Sequence, residues 1–504
     1  VTTFRSSNLG DLIDHSRDRS KVAIVDLGGA APREVSYAAL DDAANAVARA
    51  LARAGCARGE RIAILSANRW EFVAAYFGIM RAGLVAVPVN FKFPRATIEY
   101  VLRDADARRA FCDGPRRAQL PPDLPAIDFD DDFAAFLDAG EFAPIRPAEG
   151  ETAMFLYTSG STGRPKGVVL SHRSHLWTVE ARLAGKDWSA HRLLVAAPLY
   201  HMNALALAKL AAAAHATIVL LPQFDARAYA EAIQRYRATW LTAVPPMMAM
   251  LLRERSLLDS LDLASVEIVR MGSAPVSASL MSELRARFPR ASIQNAYGTT
   301  EAGPVVFGPH PGGLPQPTLS VGFPHPLVSL RLVGADGAPA SEGVLQMRSP
   351  ALMTGYHKLP ELTRAAITPD GYYVTGDIFR RDDDGFHYFV GRTDDMFVSG
   401  GENIFPAEVE RVLERHPSVE QAAVIAVPDE IKGTKPVAFA VLKPGRTATE
   451  QDIKDFTLAN APAYQHPRRV WFLPELPLAG TNKIDRSALA ALAAARIATK
   501  EETA

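Results

Sequence analysis

Between Ala153 and Ala296 the chain repeats one pattern six times: a short apolar run, then a turn dense in glycine, proline or hydroxyl residues. The runs are Ala153–Tyr157, Leu193–Ala197, Thr217–Leu221, Trp240–Val244, Glu267–Met271 and Ile293–Ala296. Their turns read TSGSTGRPKG, PLYHMN, LPQFD, PPMM, GSAP and YGTTEAG. Short runs bounded by breakers and separated by helical patterns predict a layered α/β architecture. Open α/β sheets bind ligands beyond the carboxyl ends of their strands, so six such turns predict one rim of one site. Upstream, Arg61–Leu65 and Val85–Val89 read as strands around an amphipathic stretch from Trp70 to Arg81. Ala204 to Leu221 is apolar but alanine-rich and interrupted by Lys209 and His215. A membrane span needs about 20 strongly apolar residues, so this reads as a buried helix running into a strand.

The 504 residues exceed what one hydrophobic core holds, so at least two domains are expected. No repeat of solenoid period is present. The pattern changes near residue 391. Before it, GYYVTGDIFRRDDDGFHYFVGR alternates like paired hairpin strands. After it, a Gly-Gly turn leads into an amphipathic helix opened by Pro406. AAVIAVP and PVAFAVL then read as strands, followed by a helix from Glu450 to Leu458 and a terminal helix. This division gives a large N-terminal α/β unit of several subdomains over 1–391, a joint at 392–395, and a small α+β unit over 396–504.

Fifty-five Lys and Arg against 56 Asp and Glu leave a net charge of −1, with no basic field for nucleic acid. At 48% hydrophobic and 22% charged, global disorder is excluded. Cys56 and Cys112 are too few for a disulfide framework or a cysteine-built metal site and fit a reducing compartment. The opening VTTFRSSNLGDLIDHSRDRSK carries no apolar signal core, and the expectation is a soluble, cytoplasmic protein without a membrane span.

The strongest chemical signal is Tyr157–Gly167, YTSGSTGRPKG, directly after an apolar run. Its glycines let successive backbone N–H groups turn into one concavity for anionic oxygens. Thr158, Ser159, Ser161 and Thr162 add hydroxyls, and Lys166 adds charge. A Walker A loop requires Gly-Lys-Ser/Thr, whereas here Pro165 precedes Lys166 and Gly167 follows it. A P-loop kinase or GTPase is therefore excluded.

Together with YGTTE at Tyr297–Glu301, TGD at Thr375–Asp377, GRTDD at Gly391–Asp395 and NKIDR at Asn482–Arg486, this loop resembles the adenylate-forming superfamily. That group includes acyl- and aryl-CoA ligases, luciferases and peptide-synthetase adenylation domains. DDMFVSGGENIFPAEVERVL is similar to bacterial aryl-CoA ligases of the chlorobenzoate type. The resemblance implies an adenylation domain, a mobile C-terminal lid, and use of ATP, Mg2+ and coenzyme A. Thr158, Ser159, Gly160, Ser161, Thr162, Gly163 and Lys166 would hold the β- and γ-phosphates, and Thr300 the α-phosphate. Glu301 would support the metal ion. Asp377 and Arg392 would take the ribose, with Arg392 reaching phosphate. Tyr297 with Gly272, Ser273, Ala274 and Pro275 would form the adenine slot, completed by Asn295, Ala296, Gly298 and Thr299. Lys483 would swing in during adenylation. Many relatives have Gly-Lys there; Asn482 tolerates the same backbone angles. Asp394 would be the hinge, and Gly400, Gly401 and Glu402 the thiol tunnel.

By the same resemblance the acyl pocket is lined by Trp177, His201, Met202, Asn203, Met247, Met248, Gly272, Ala274, Gly298, Gly303, Pro304 and Val305. These positions hold no Arg or Lys, so a second substrate carboxylate would be buried without a partner. They also lack the aspartate with which peptide-synthetase domains hold an α-amine. His201 is either a gate to the thiol tunnel or a packed histidine with a structural hydrogen bond. The resulting expectation is an AMP-forming ligase for an aromatic, benzoate- or cinnamate-type acid. A short- to medium-chain fatty acyl-CoA ligase and a nucleotide-binding protein without turnover are the alternatives. A carrier-protein thiol is the alternative acceptor to CoA, and either a monomer or a homodimer fits.

Overall fold

All six apolar runs form strands in the computed structural model, which describes residues 7–158, 164–399, 402–429, 432–479 and 483–501. They divide between two sheets. Thr152–Thr158 lies in one seven-stranded sheet, antiparallel to Lys166–Ser171 and parallel to Val85–Pro88, with Arg61–Leu65 beyond. Arg192–Val195, Thr217–Leu220, Trp240–Ala243, Ile268–Gly272 and Ser292–Ala296 form the parallel part of a second seven-stranded sheet. The hairpin Val22–Asp26 and Arg33–Ser36 completes it.

Both faces of the second sheet are covered at its centre, which is why Leu193–Val195, Thr217–Leu220 and Trp240–Ala243 read as continuous apolar runs. Leu193, Val195, Ile218 and Leu220 enter a core shared with the first sheet, while Leu194, Val219, Leu241 and Val269 enter another on the opposite face. Helix Trp70–Arg81 lies in the shared core with all its residues buried. Its closing Arg81, 1% exposed, is satisfied by Asp41 at 2.6 Å and the Gly10 carbonyl at 2.8 Å. Helix Met202–Ala214 follows the expected path: His215, with φ 60°, ends it before Thr217–Leu220 begins.

One expected rim turn is elsewhere. Leu221–Asp225 does not reach the cleft described below; Asn68 holds it, donating to the carbonyls of Ala197 and Leu221 at 2.9 and 3.1 Å.

A four-stranded antiparallel sheet, ending in Tyr373–Arg381 and His387–Arg392, leads to the C-terminal unit. There Val419–Asp429 and Gly433–Leu442 pair antiparallel, and Val470–Phe472 adds in parallel. Ala422 and Val424 pack with helix Pro406–Leu413, whereas Ala423 and Ile425 pack toward helix Arg486–Glu501. Both cysteines are free. Among the described residues no helix is long and apolar enough to cross a membrane.

Buried histidines make stability pH-dependent. His172 is 2% exposed, and its Nδ1 accepts the Leu9 N–H at 3.0 Å, a bond that a proton on Nδ1 would abolish. Burial lowers its pKa to about 4. Between about pH 6.5 and 4 the unfolded chain takes up a proton here that the folded chain refuses. The neutral ring's stabilisation is thus present above pH 6.5 and lost toward pH 4, on the order of 3 kcal/mol. Glu414, raised to about 8 by burial, works in the opposite direction. Comparison with His172→Gln isolates the effect. The variant is expected to melt below the parent at pH 7.5 and to close the gap by pH 4.5 in calorimetry; a constant gap would contradict the assignment.

Candidate active site

Five of the six turns converge on a cleft of about 1170 Å³ that also receives side chains of the C-terminal unit. The turn after Ile268–Gly272 is strained: Ser273 has φ 68°. Across it, Asn295 donates to the Leu319 carbonyl at 2.9 Å, and Leu319 is itself at φ 71°. Gly298 is required by space, since a Cβ there would lie 2.8 Å from the Pro304 Cα. The Tyr297–Gly303 loop is closed by the Gly303 N–H on the Thr299 carbonyl at 2.9 Å.

Two sequence-distant motifs meet at Asp377. It is 5% exposed. Its Oδ1 accepts from Arg392 Nη1 at 2.9 Å, and its Oδ2 accepts the Tyr297 hydroxyl. Burial raises the Asp377 pKa, with Arg392 and the Tyr297 hydrogen bond opposing. The Tyr297 ring is fixed edge-on against Phe379, centroids 4.8 Å apart. The other two nitrogens of Arg392 form a fork on Asp394 at 2.7 and 3.0 Å. Every nitrogen of this arginine is therefore engaged with a carboxylate, one buried and one at the joint.

Glu301, 8% exposed, accepts the Tyr356 hydroxyl at 3.0 Å. Lys166 Nζ stands 4.2 Å from the centroid of the same ring, so Tyr356 separates a carboxylate from an ammonium. The Thr158 hydroxyl is buried without a hydrogen-bond partner among the described residues. Lys483 enters from the C-terminal unit and lines the cleft. Its side chain remains reachable by solvent, yet crowding by surrounding protein lowers its pKa; Asp377 and Glu301 pull it up and Arg392 pushes it down. Arg486 ties this segment to helix Pro406–Leu413, meeting Glu410 at 2.8 Å and the Val424 carbonyl at 2.6 Å. Arg253 and Glu420, 2.7 Å apart, connect the two units at the cleft edge.

Thr300, His201, Met202, Asn203, Met247, Gly272, Ala274, Pro275, Ala296 and Pro304 also line the cleft. His201 precedes helix Met202–Ala214; burial, then Lys483 and Lys92, lower its pKa to about 3, so the ring is neutral. Asn203 accepts from Thr242 at 3.4 Å.

Four expected pocket residues stand behind the wall instead. Trp177 packs edge-on against His325. Met248, one residue round the helix from Met247, is fully buried in the outer core. A Cβ on Gly303 would lie 2.5 Å from the Ala351 Cβ, and Val305 belongs to the shared core. Glu402 lies on a short strand paired with Phe397–Ser399, outside the cleft lining. Ser159, Gly160, Ser161, Thr162, Gly163, Gly400, Gly401 and Asn482 lie outside the described residues.

Arg182 and Arg270, absent from the expected pocket, both line the cleft. Arg270 was findable. It precedes Gly272 by two residues on one strand and so shares its face. Arg182, at the end of a long helix, gave no comparable signal.

A sequence model of the AMP-binding enzyme family matches residues 14–357, and one of the AMP-binding enzyme C-terminal domain matches residues 408–483. The sulfoacetate–CoA ligase of Cupriavidus necator is 31% identical, with 90% of this chain and 91% of that protein aligned. A feruloyl-CoA synthase of Amycolatopsis is 33% identical over 95% and 98% of the two chains. Among solved structures, ATP-bound MatB from Rhodopseudomonas palustris superposes with a TM-score of 0.87 at 27% identity, covering 97% of this chain and 99% of that one.

Proposed function

The chain belongs to the AMP-binding enzyme family and is an AMP-forming acid–CoA ligase; from that premise we propose how its residues divide the reaction and what acid they accept. A carboxylate is a poor acyl donor because its leaving group would be oxide. In the first half, the carboxylate oxygen attacks the α-phosphorus of ATP, and the bond to pyrophosphate breaks. In the second, a CoA thiolate attacks the acyl carbon and AMP leaves. The first transition state gathers charge on phosphorus oxygens, so catalysis is positioning and electrostatic stabilisation.

Lys166 and the Thr158 hydroxyl hold the outer phosphates with the loop between them. Thr300 and Lys483 face the α-phosphate. Asp377, with Tyr297 and Arg392, receives the nucleoside; its carboxylate retains lone pairs beyond the two bonds it already accepts. Glu301 would hold Mg2+, which supplies charge neutralisation at the phosphates. One protein carboxylate completed by phosphate oxygens and water suits that ion. Asp394 is the hinge within 392–395 about which the small unit, 396–504, turns to bring Gly400, Gly401 and Glu402 to the thiol path.

The observation that carries this reading is Lys483 in one cleft with Lys166, Glu301, Asp377 and Arg392. For the acid, the cleft lining of Gly272, Gly298, Met202 and Met247 favours a compact hydrocarbon, a flat aromatic ring first and a short aliphatic chain second. Benzoates, cinnamates and C4–C12 acids should be screened with ATP for pyrophosphate and, after adding CoA, for thioester. Release of both products from at least one compact acid is expected. Pyrophosphate without thioester would point to another acceptor thiol, and neither product from any acid would refute the assignment.

A further inference from the structure

Two guanidiniums stand on the acyl side of the cleft without a carboxylate. The strand register sets Arg270 beside Thr242 and Gln294, on the face shared with Gly272. Its Nη1 donates to Gln294 Oε1 at 3.2 Å. Arg182 Nη2 reaches the Pro304 carbonyl at 3.4 Å, next to Gly298. Both acceptors are neutral, and among the described residues no carboxylate contributes to the electrostatics of either arginine.

The two arginines also repel each other. Burial and then Arg270 lower the Arg182 pKa to about 9, and burial lowers that of Arg270 to about 10. Behind them Lys209 is completely buried, its Nζ 3.1 Å from His175 Nδ1; burial and Arg182 lower it to about 7. A lysine at that value relieves the strain by losing its proton near neutral pH. The guanidiniums cannot, and stay charged. Half-buried like charges without a counter-ion are costly, and so is leaving them against hydrocarbon.

We propose that Arg182 and Arg270 form an anion receptor, and that the acid activated here carries a second oxyanion, carboxylate or sulfonate, beyond the reacting carboxylate. This rests on the ligase reading above and narrows its substrate class. The adenylating carboxylate lies toward Lys483 and Thr300, and the distal anion binds between the two forks. A plain benzoate or alkanoate fills the same slot and leaves both forks unpaired.

Skeleton-matched acids test the receptor: benzoate against isophthalate, terephthalate and 3-sulfobenzoate, and butyrate against succinate and 3-sulfopropionate. The best dianionic acid is expected to exceed its monoanionic partner in kcat/KM by on the order of 100-fold. Arg270→Gln and Arg182→Met should each erase most of that preference, lowering the dianionic acid and raising the monoanionic one. The rise excludes misfolding as the cause. The carboxylate and sulfonate arms identify which oxyanion fits. Monoanionic acids equal or superior in every pair, or a preference unchanged in both variants, would overturn the receptor and leave the ligase assignment standing. If no acid releases pyrophosphate, the ligase assignment falls. Calorimetric titration of the same acids then decides the receptor: tighter dianion binding lost in Arg270→Gln supports it, and equal binding overturns it.

Discussion

Replacing Lys483 with alanine is expected to slow pyrophosphate release by about 10²- to 10³-fold, the usual loss when one preorganised donor to a developing oxyanion is removed. Thioester formation from a supplied acyl-adenylate should stay near the unaltered rate. The asymmetry follows from where charge develops. In the first half it builds on the phosphorus oxygens, and Lys483 is the C-terminal unit's lysine facing Asp377 and Glu301 in the cleft. In the second half the phosphoryl charge is already distributed over AMP, and the new bond forms at the acyl carbon. Crowding around the ammonium strengthens its interaction with an anion, because fewer waters compete. The side chain is exposed, so its truncation opens no core cavity and the melting temperature should not move. Rapid-quench measurement of adenylate, beside single-turnover thioester synthesis from the synthetic adenylate, separates the halves. Equal losses in both would remove Lys483 from its assigned step.

The fold was legible where physics left a one-dimensional trace. Strands such as Leu193–Val195 and Thr217–Leu220 are buried on both faces and bounded by breakers, so composition alone reveals them. What the trace lacks is partnership. Nothing local says that Thr152–Thr158 pairs with Val85–Pro88 rather than joining the other five strands. The same gap explains the site. Asp377, Arg392 and Tyr297 came from compact motifs and meet at hydrogen-bond distance. Trp177 and Met248 failed because packing, which the sequence does not show, turns Trp177 onto His325 and Met248 into the outer core. Arg182 escaped because a charged residue on a helix ordinarily faces water, and only the packing of its helix against Met202–Ala214 brings it indoors.

Asp394→Pro is expected to slow thioester formation more than adenylation, by about tenfold to a hundredfold. Proline fixes φ near −65°, and a turn about this residue that needs another φ is strained by about 1–3 kcal/mol. Losing the carboxylate also matters, since Asp394 holds two nitrogens of Arg392 while the third holds Asp377. The fork couples Asp377 to the joint: a rotation about φ of Asp394 must break two charge-assisted bonds, and Arg392 keeps Asp377 as its remaining partner. Neighbouring backbone is anchored, with the Thr393 N–H and hydroxyl both on the Gly376 carbonyl at 2.8 and 3.0 Å, which confines the rotation to residues after Thr393. Asp394→Ala removes the fork without the ring and is the necessary companion. It should ease rotation, so the alanine and proline variants are expected to depart in opposite directions in the second half-reaction while adenylation changes little. Parallel slowing in both would assign Asp394 to the charge network alone, and a selective adenylation defect in the proline variant would move the hinge elsewhere.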